Sequence, residues 1–390
     1  MERVNTQTSE RPPVKLAFIG QLTGNVLDEG LGGRNAADLA VRLRNAEPGR
    51  RFEFKLLSFD DGCAPEIAVG AAESAARDPA IVAAVAHYCS DAALACVDIY
   101  HRHELPVVIW GAGNAEIIYG NDYKELHRIM YTWPVLNDVA ARFATRAGRR
   151  RAVVIHEASD YGRGHLQWFT RSMRKIGGEV VGDISVSANQ TDLSAELAQI
   201  TSMMPDLVHV ATPPAGWALA NPRTGSELPG SGAPIEVRLC ARLRELPSRP
   251  LIQGTSGLIQ PAVLAALGSM AEGIVGFQGG APLRLLPGAA FFAEHYAEQG
   301  YADPPAAYSP FAYASTALIL DTIERAGPER RAIRAALNAI RGYESIIGPI
   351  SFDEHGQNIA ATVTTFVVQD GQAVVWSESQ YAAEIRTLGE

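Results

Sequence analysis

Two kinds of apolar pattern take turns along the chain. Short runs that are apolar almost throughout, such as KLAFIG at Lys15–Gly20, IVAAVA at Ile81–Ala86 and LPVVIWG at Leu105–Gly111, predict strands buried on both faces. Between them lie stretches with apolar residues three and four apart. In GGRNAADLAVRLRNA, Ala36, Ala37, Leu39, Ala40 and Leu43 share one side of a helix. FEFKLLSFDD, from Phe52, adds a strand ending in acid, and CAPEIAVGAAESAARD a helix with Pro65 in its first turn. HYCSDAALACVDIYHRH reads as the next helix. Strand alternating with helix predicts a parallel sheet covered on both faces, one half of a doubly wound fold.

A second series begins beyond Trp133 and Pro134. RRAVVIHE predicts a strand, DYGRGHLQWFTRSMRKIG a helix stopped at Gly177 and Gly178, EVVGDISV a strand, and TDLSAELAQITSM a helix capped by Thr191 or Asp192. After the strand DLVHVAT, a Gly- and Pro-rich segment from Pro213 to Pro234 breaks the alternation and is long for a loop in a compact domain. The helix IEVRLCARLREL, strand PLIQG, helix QPAVLAALGSM and strand GIVGFQG follow. Three helical stretches then cover 288–300, 308–326 and 329–340. The chain closes on ISFDEHG, TVTTFVVQDG and QAVVWSE, with a tight hairpin predicted at the Asp-Gly pair of QDGQ.

At 390 residues the chain exceeds one ordinary core. The expected class is α/β: two doubly wound, Rossmann-like lobes joined by a three-strand hinge, with crossovers near Tyr131–Val135, Phe277–Pro282 and Gly348–Phe352. One lobe takes residues 14–132 and 282–347 and the other 133–281 and 348–386, behind a disordered leader at 1–13.

Composition narrows the function. Apolar residues at 47% and charged ones at 20% describe a folded globular chain. A net charge of −9 leaves no electrostatic footprint for a nucleic-acid backbone, and the basic run Arg149–Arg151 is too short to reverse that. No apolar run approaches the roughly 18 residues of a membrane span. The opening MERVNTQTSERPPV lacks the apolar stretch of a signal peptide, so either a signal segment has been removed or the protein is cytoplasmic.

The chemistry gathers at the carboxyl ends of the strands, where open α/β sheets bind ligands. AHYCSDAALAC, from Ala86, sets Cys89 and Cys96 near His87. A metal site there would have three ligands at most, at unsuitable spacing. A nucleophilic Cys89 would gain from a helix N-terminus and lacks a base. A bridge to Cys63 requires the two strand ends to lie side by side. Ser90 before the helix acts either as a simple N-cap or, with the free backbone amides, as a cradle for a carboxylate. In WGAGNAE, Gly111 and Gly113 let the backbone approach a ligand and Asn114 adds a donor and an acceptor. Tyr161 opens a helix directly after a strand and could face a cleft. No GxSxG elbow, phosphate loop or dinucleotide fingerprint is present, so neither an enzyme nor a cofactor is expected.

From Lys15 to Trp376 the chain resembles the type I periplasmic binding proteins, most closely the leucine/isoleucine/valine-binding proteins of ABC importers. The resemblance rests on KLAFIGQLTGNV, SFDDGCAPEIAV, AHYCSDAALACVDIY with VVIWGAGNAE, VVIHEASDYGRG and GPISFDEHGQ. It implies a Cys63–Cys89 bridge and a ligand carboxylate held by Ser90 with Ala112, Gly113 and Asn114. It also implies contacts from Tyr161 in the other lobe and from Tyr308 before the long late helix. The first-loop position falls on Glu29, and Trp110 and Trp217 complete the expected set. Where the family pairs a ligand ammonium with an acid, this chain has Thr255 and Ser256, which leaves an amine unpaired unless Asp28 or Glu29 supplies the charge. The implied function is capture of a small amino acid or other carboxylate, aromatic ones included, for delivery to a membrane permease. The rival on the same fold is a cytoplasmic or receptor-linked sensor.

Overall fold

The computed structural model describes residues 11–24, 27–188, 190–212 and 233–383 of the chain. The first half runs β1 (Pro13–Gly20), α1 (Leu27–Ala46), β2 (Glu53–Asp60), α2 (Pro65–Arg77), β3 (Ile81–Ala86), α3 (Ser90–Arg102), β4 (Val107–Ile109), α4 (Glu116–Tyr119) and β5 (Leu126–Arg128). Then come α5 (Trp133–Arg146), β6 (Arg151–Glu157), α6 (Asp160–Lys175), β7 (Glu179–Val186), α7 (Ser194–Met203), β8 (Leu207–Ala211), α8 (Ile235–Arg244), β9 (Leu251–Thr255), α9 (Pro261–Leu267) and β10 (Val275–Gly279). The last part holds α10 (Ala289–Glu298), α11 (Ser309–Ala326), α12 (Arg330–Asn338) and strands β11 (Tyr343–Ser345), β12 (Gly348–Ile350), β13 (Val363–Gln369) and β14 (Gln372–Val375).

These strands make two sheets, one per lobe. The first is parallel throughout, in the order β2-β1-β3-β4-β5; the second is β14-β13-β10-β9-β8-β6-β7, with only β13 running antiparallel to its neighbours. In each sheet the chain winds outward from one strand in two directions, β1 in the first and β6 in the second. That reversal opens a crevice at the strands' carboxyl ends. IVAAVA is buried at every residue, as a central parallel strand should be. The Asp370-Gly371 hairpin has φ of 52° and 75°, the left-handed pair that a two-residue turn demands.

Long helices α1 and α11 pack against each other on the first sheet. Gly32 permits this, because a Cβ there would lie 2.7 Å from the Ser309 hydroxyl, and Gly33 lets α1 approach Trp110, whose indole would be 2.7 Å from a Cβ. One apolar cluster joins Phe18 and Trp110 of the first lobe to Phe277 and Trp376 of the second, while each sheet's opposite face has a cluster of its own.

Four local expectations change. Pro13 belongs to β1 and not to a leader. Helix α7 starts at Ser194, with Asp192 turned to accept the Ser194 N–H at 2.9 Å instead of capping the helix. The three-residue strand β5 is too short for any periodicity to reveal. The third crossover lies beyond Gly348–Phe352, because the chain still pairs with β5 at Gln357. There Gln357 donates to the Met130 carbonyl (2.6 Å) and Asn358 to that of Ile129 (3.1 Å), so side-chain amides tie two hinge segments together. The 213–232 part of the expected insertion lies outside the described residues.

Candidate ligand-binding site

A cavity of about 80 Å³ lies where the carboxyl ends of the two sheets converge. Its first-lobe wall starts at the Cys63–Cys89 disulfide, with Cα atoms 5.4 Å apart. Because β1 separates β2 from β3, the bridge spans the end of β1 and does not join adjacent strands. Both approaches are left-handed, with φ of 55° at Cys63 and 61° at His87, a conformation that costs a residue bearing a Cβ about 1–2 kcal/mol. Hydrogen bonds hold them there: Asp61 accepts the Cys63 N–H at 2.9 Å, and the buried His87 ring meets Asp61 at 2.8 Å and the Tyr100 hydroxyl at 2.6 Å. Burial works against the imidazolium, but the hydrogen bond that the ring donates to Asp61 and the nearby Cys96 sulfur outweigh it and raise the His87 pKa to about 9. Cys96 is a buried free thiol. The three residues of the metal reading thus have separate roles.

Beyond the bridge, Cys89 occupies the N-cap of α3 and Ser90 is its first helical residue, not the cap. The Ser90 hydroxyl accepts the Asn114 N–H at 3.2 Å, which joins the start of α3 to the turn after β4. Both glycines of that turn are required by aromatic neighbours. A Cβ on Gly111 would meet Tyr88 Cδ2 at 2.6 Å, and one on Gly113 would meet the Trp133 indole at 2.9 Å. The first amides of α3 point out of the helix end without intrahelical partners. With the Ser90 hydroxyl they form a donor-rich, electropositive wall.

The second-lobe wall is Tyr161, in the first turn of α6, and Ser256, just past β9. Ser159 caps α6 by accepting the Gly162 N–H at 3.3 Å. Tyr88, Tyr131, Trp133 and Tyr308 complete an aromatic ring, with Tyr88–Tyr308 and Trp133–Tyr161 edge to face at 5.4 and 5.5 Å. Burial pushes the Tyr131 phenol up to about 12 and raises Tyr88, Tyr161 and Tyr308 as well, so all four remain neutral donors. Asp91 is the sole lining carboxylate among the described residues, and its pKa is raised by burial and by Asp160.

Of the residues singled out from sequence, Ser90, Gly113, Tyr161, Ser256 and Tyr308 line this cavity, as do the bridged cysteines. Ala112 is buried behind the turn, and Asn114 contributes its backbone to Ser90 and to Arg128. Trp110 faces the opposite side of the sheet end, packed on Phe18 and Gly33. Glu29 sits behind Tyr308, accepting its N–H at 3.1 Å, with burial raising its pKa to about 7. Trp217 lies outside the described residues. Sequence reasoning missed Tyr88, Asp91, Tyr131 and Trp133. For Tyr88 and Asp91 the signal was adjacency to Ser90. Glu236 on α8, outside the cavity lining, is a buried carboxylate with a pKa raised by burial.

Such a pair of sheets around an aromatic, donor-lined cavity defines a two-lobed solute binder. The sequence profile described as periplasmic binding protein matches residues 13–223 and 246–373, and the chain belongs to that family. Members are substrate-binding proteins of ABC transporters and not enzymes. The chain is 25% identical over 360 residues to the leucine-, isoleucine-, valine-, threonine- and alanine-binding protein of Pseudomonas aeruginosa, covering 88% of this chain and 86% of that one. Matches to several enterobacterial Leu/Ile/Val-binding proteins span only about half of their length. Among solved structures, the leucine-binding protein LivK of Thermotoga maritima superposes with a TM-score of 0.75 at 24% identity, covering 93% of this chain and 97% of that one. A solute-binding protein from R. palustris, solved with benzoate, gives 0.74 at 19%, with 93% and 95% covered.

Proposed function

We propose that the protein captures a small carboxylate between its lobes and delivers it, in the periplasm, to a membrane permease. The observation that carries this is the cavity itself. One wall offers the start of α3, the Ser90 hydroxyl and the Gly113 backbone as donors, and the other offers Tyr161 and Ser256 across an aromatic ring. Donors at a helix start suit an anion, and phenols and an indole packed edge to face suit an apolar body. The P. aeruginosa relative is named for aliphatic amino acids and the R. palustris neighbour holds benzoate, so both ligand classes occur on this fold.

The charge balance favours an acid without an amine. Ser256 supplies no negative charge, Asp91 stands at the start of the electropositive helix, and Glu29 and Glu236 lie behind the wall. Thermal unfolding with benzoate and with L-leucine tests the reading. A ligand at about a hundredfold excess over its Kd stabilises by about 2.7 kcal/mol, so the preferred acid raises the midpoint clearly. Benzoate is expected to exceed leucine, and no shift with either removes the proposal.

A further inference from the structure

Arg128, at the end of β5, is wholly buried. Its Nε donates to the Gln357 side-chain oxygen at 2.7 Å, and its Nη1 donates to the carbonyls of Ala112 at 3.2 Å and Asn114 at 2.6 Å. Nη2 has no partner, and no carboxylate of the described residues pairs with the guanidinium. Asp353, the acid whose field reaches it, is committed to the Tyr119 hydroxyl and to the amides of His355 and Gln357. Burial lowers the Arg128 pKa only to about 10, so the group is charged at neutral pH. A buried, unpaired cation is costly, and a fold keeps one where something offsets it.

The geometry offers the offset. A trans peptide places its C=O and N–H on opposite sides. Holding the Ala112 carbonyl on the guanidinium therefore turns the Gly113 N–H away from it, and Gly113 lines the cavity. Among the described residues that amide donates to nothing. The Arg128 charge also reaches the cavity wall at Tyr131, whose phenol it pulls downward against the effect of burial.

We infer that Arg128 is the charge-selecting residue of the site: from behind the 112–114 turn it aims the Gly113 amide at the ligand and supplies the positive field that favours a carboxylate over a neutral group. It is a positioning residue without ligand contact, and the inference rests on the carboxylate reading above. Through Gln357 it also links the anion-binding turn to the third hinge segment.

The test compares each acid with its carboxamide, in which only the carboxylate is replaced by a neutral group, benzoate with benzamide and L-leucine with L-leucinamide, by calorimetric titration of the wild type, R128K and R128Q. In the wild type the acid is expected to bind at least about tenfold tighter than its amide. R128Q should weaken the acid about 10- to 100-fold, the scale of a lost charge-assisted interaction. It should leave the amide within about threefold. A purely structural role would weaken both alike, and that result overturns the inference. If R128Q does not unfold cooperatively, R128K carries the test, since an ammonium keeps the charge but cannot span both carbonyls and Gln357; it should fall between the other two. A wild type that prefers neither acid to its amide overturns the inference alone. A wild type that binds no acid overturns the carboxylate reading and the inference with it.

Discussion

The two walls of the cavity are built differently. On the first lobe, a disulfide, the His87–Asp61–Tyr100 chain and the Arg128 fork fix the backbone at Cys89 and the 112–114 turn, which face the cavity. On the second lobe, Tyr161 rides the first turn of α6 and Ser256 a short 3-10 turn, with Thr212 and Glu236 buried behind them. The fixed wall therefore sets binding geometry in advance. The looser one is suited to move onto it, as in hinge-bending binders.

The contrast breaks most severely at the bridge. Opening Cys63–Cys89, which closes a loop of sequence separation 26, is expected to cost about 3 kcal/mol. Urea unfolding with and without reductant measures it, and an unchanged midpoint would show that the first wall does not depend on the bridge. Next in size, Ser90→Ala should lower carboxylate affinity by about 1.5–3 kcal/mol, as for loss of a hydrogen bond to a charged group. Tyr161→Phe on the opposite wall should cost about 0.5–1.5 kcal/mol, a neutral hydrogen bond's share. Equal losses in paired titrations would erase the distinction between the walls.

A further effect is spread over several pH units. The folded His87 pKa is raised from 6.5 to about 9, so the native state holds its proton where the unfolded chain has released it. That stabilisation is full below about pH 6.5 and is lost as the pH rises through 9. Thermal midpoints should fall over this interval, and the buried tyrosines, with phenols held above their ordinary value, carry the fall further at higher pH. His87→Gln should flatten that part of the curve, and a variant that keeps the slope would place its origin elsewhere.

What could be read ahead of the structure were features with a local signature. Ser90, Tyr161 and Tyr308 stand at the starts of helices, where strand-to-helix punctuation marks the ligand end of the sheet. Trp110 illustrates the limit. It and Gly111 are consecutive at the end of β4, so they face opposite sides, and only the register of the sheet decides that the glycine gets the cavity and the indole gets α1. Tyr131 and Trp133 escaped notice because they lie on the first crossover, where no periodicity operates. The bridge partners were identifiable as cysteines, but the strand between them depends on sheet order, which adjacency in sequence misstates. Arg128 sits in a strand of three residues, below the resolution of any pattern.

Trp133 has a practical consequence. Trp133 touches both lobes, with its indole against Gly113 on one side and against Gly164 and Tyr161 on the other. A movement that separates the lobes must strip one of these surfaces from the ring and let water in. The protein thus carries its own fluorophore between the lobes, and its emission is expected to change on occupancy, a label-free optical signal.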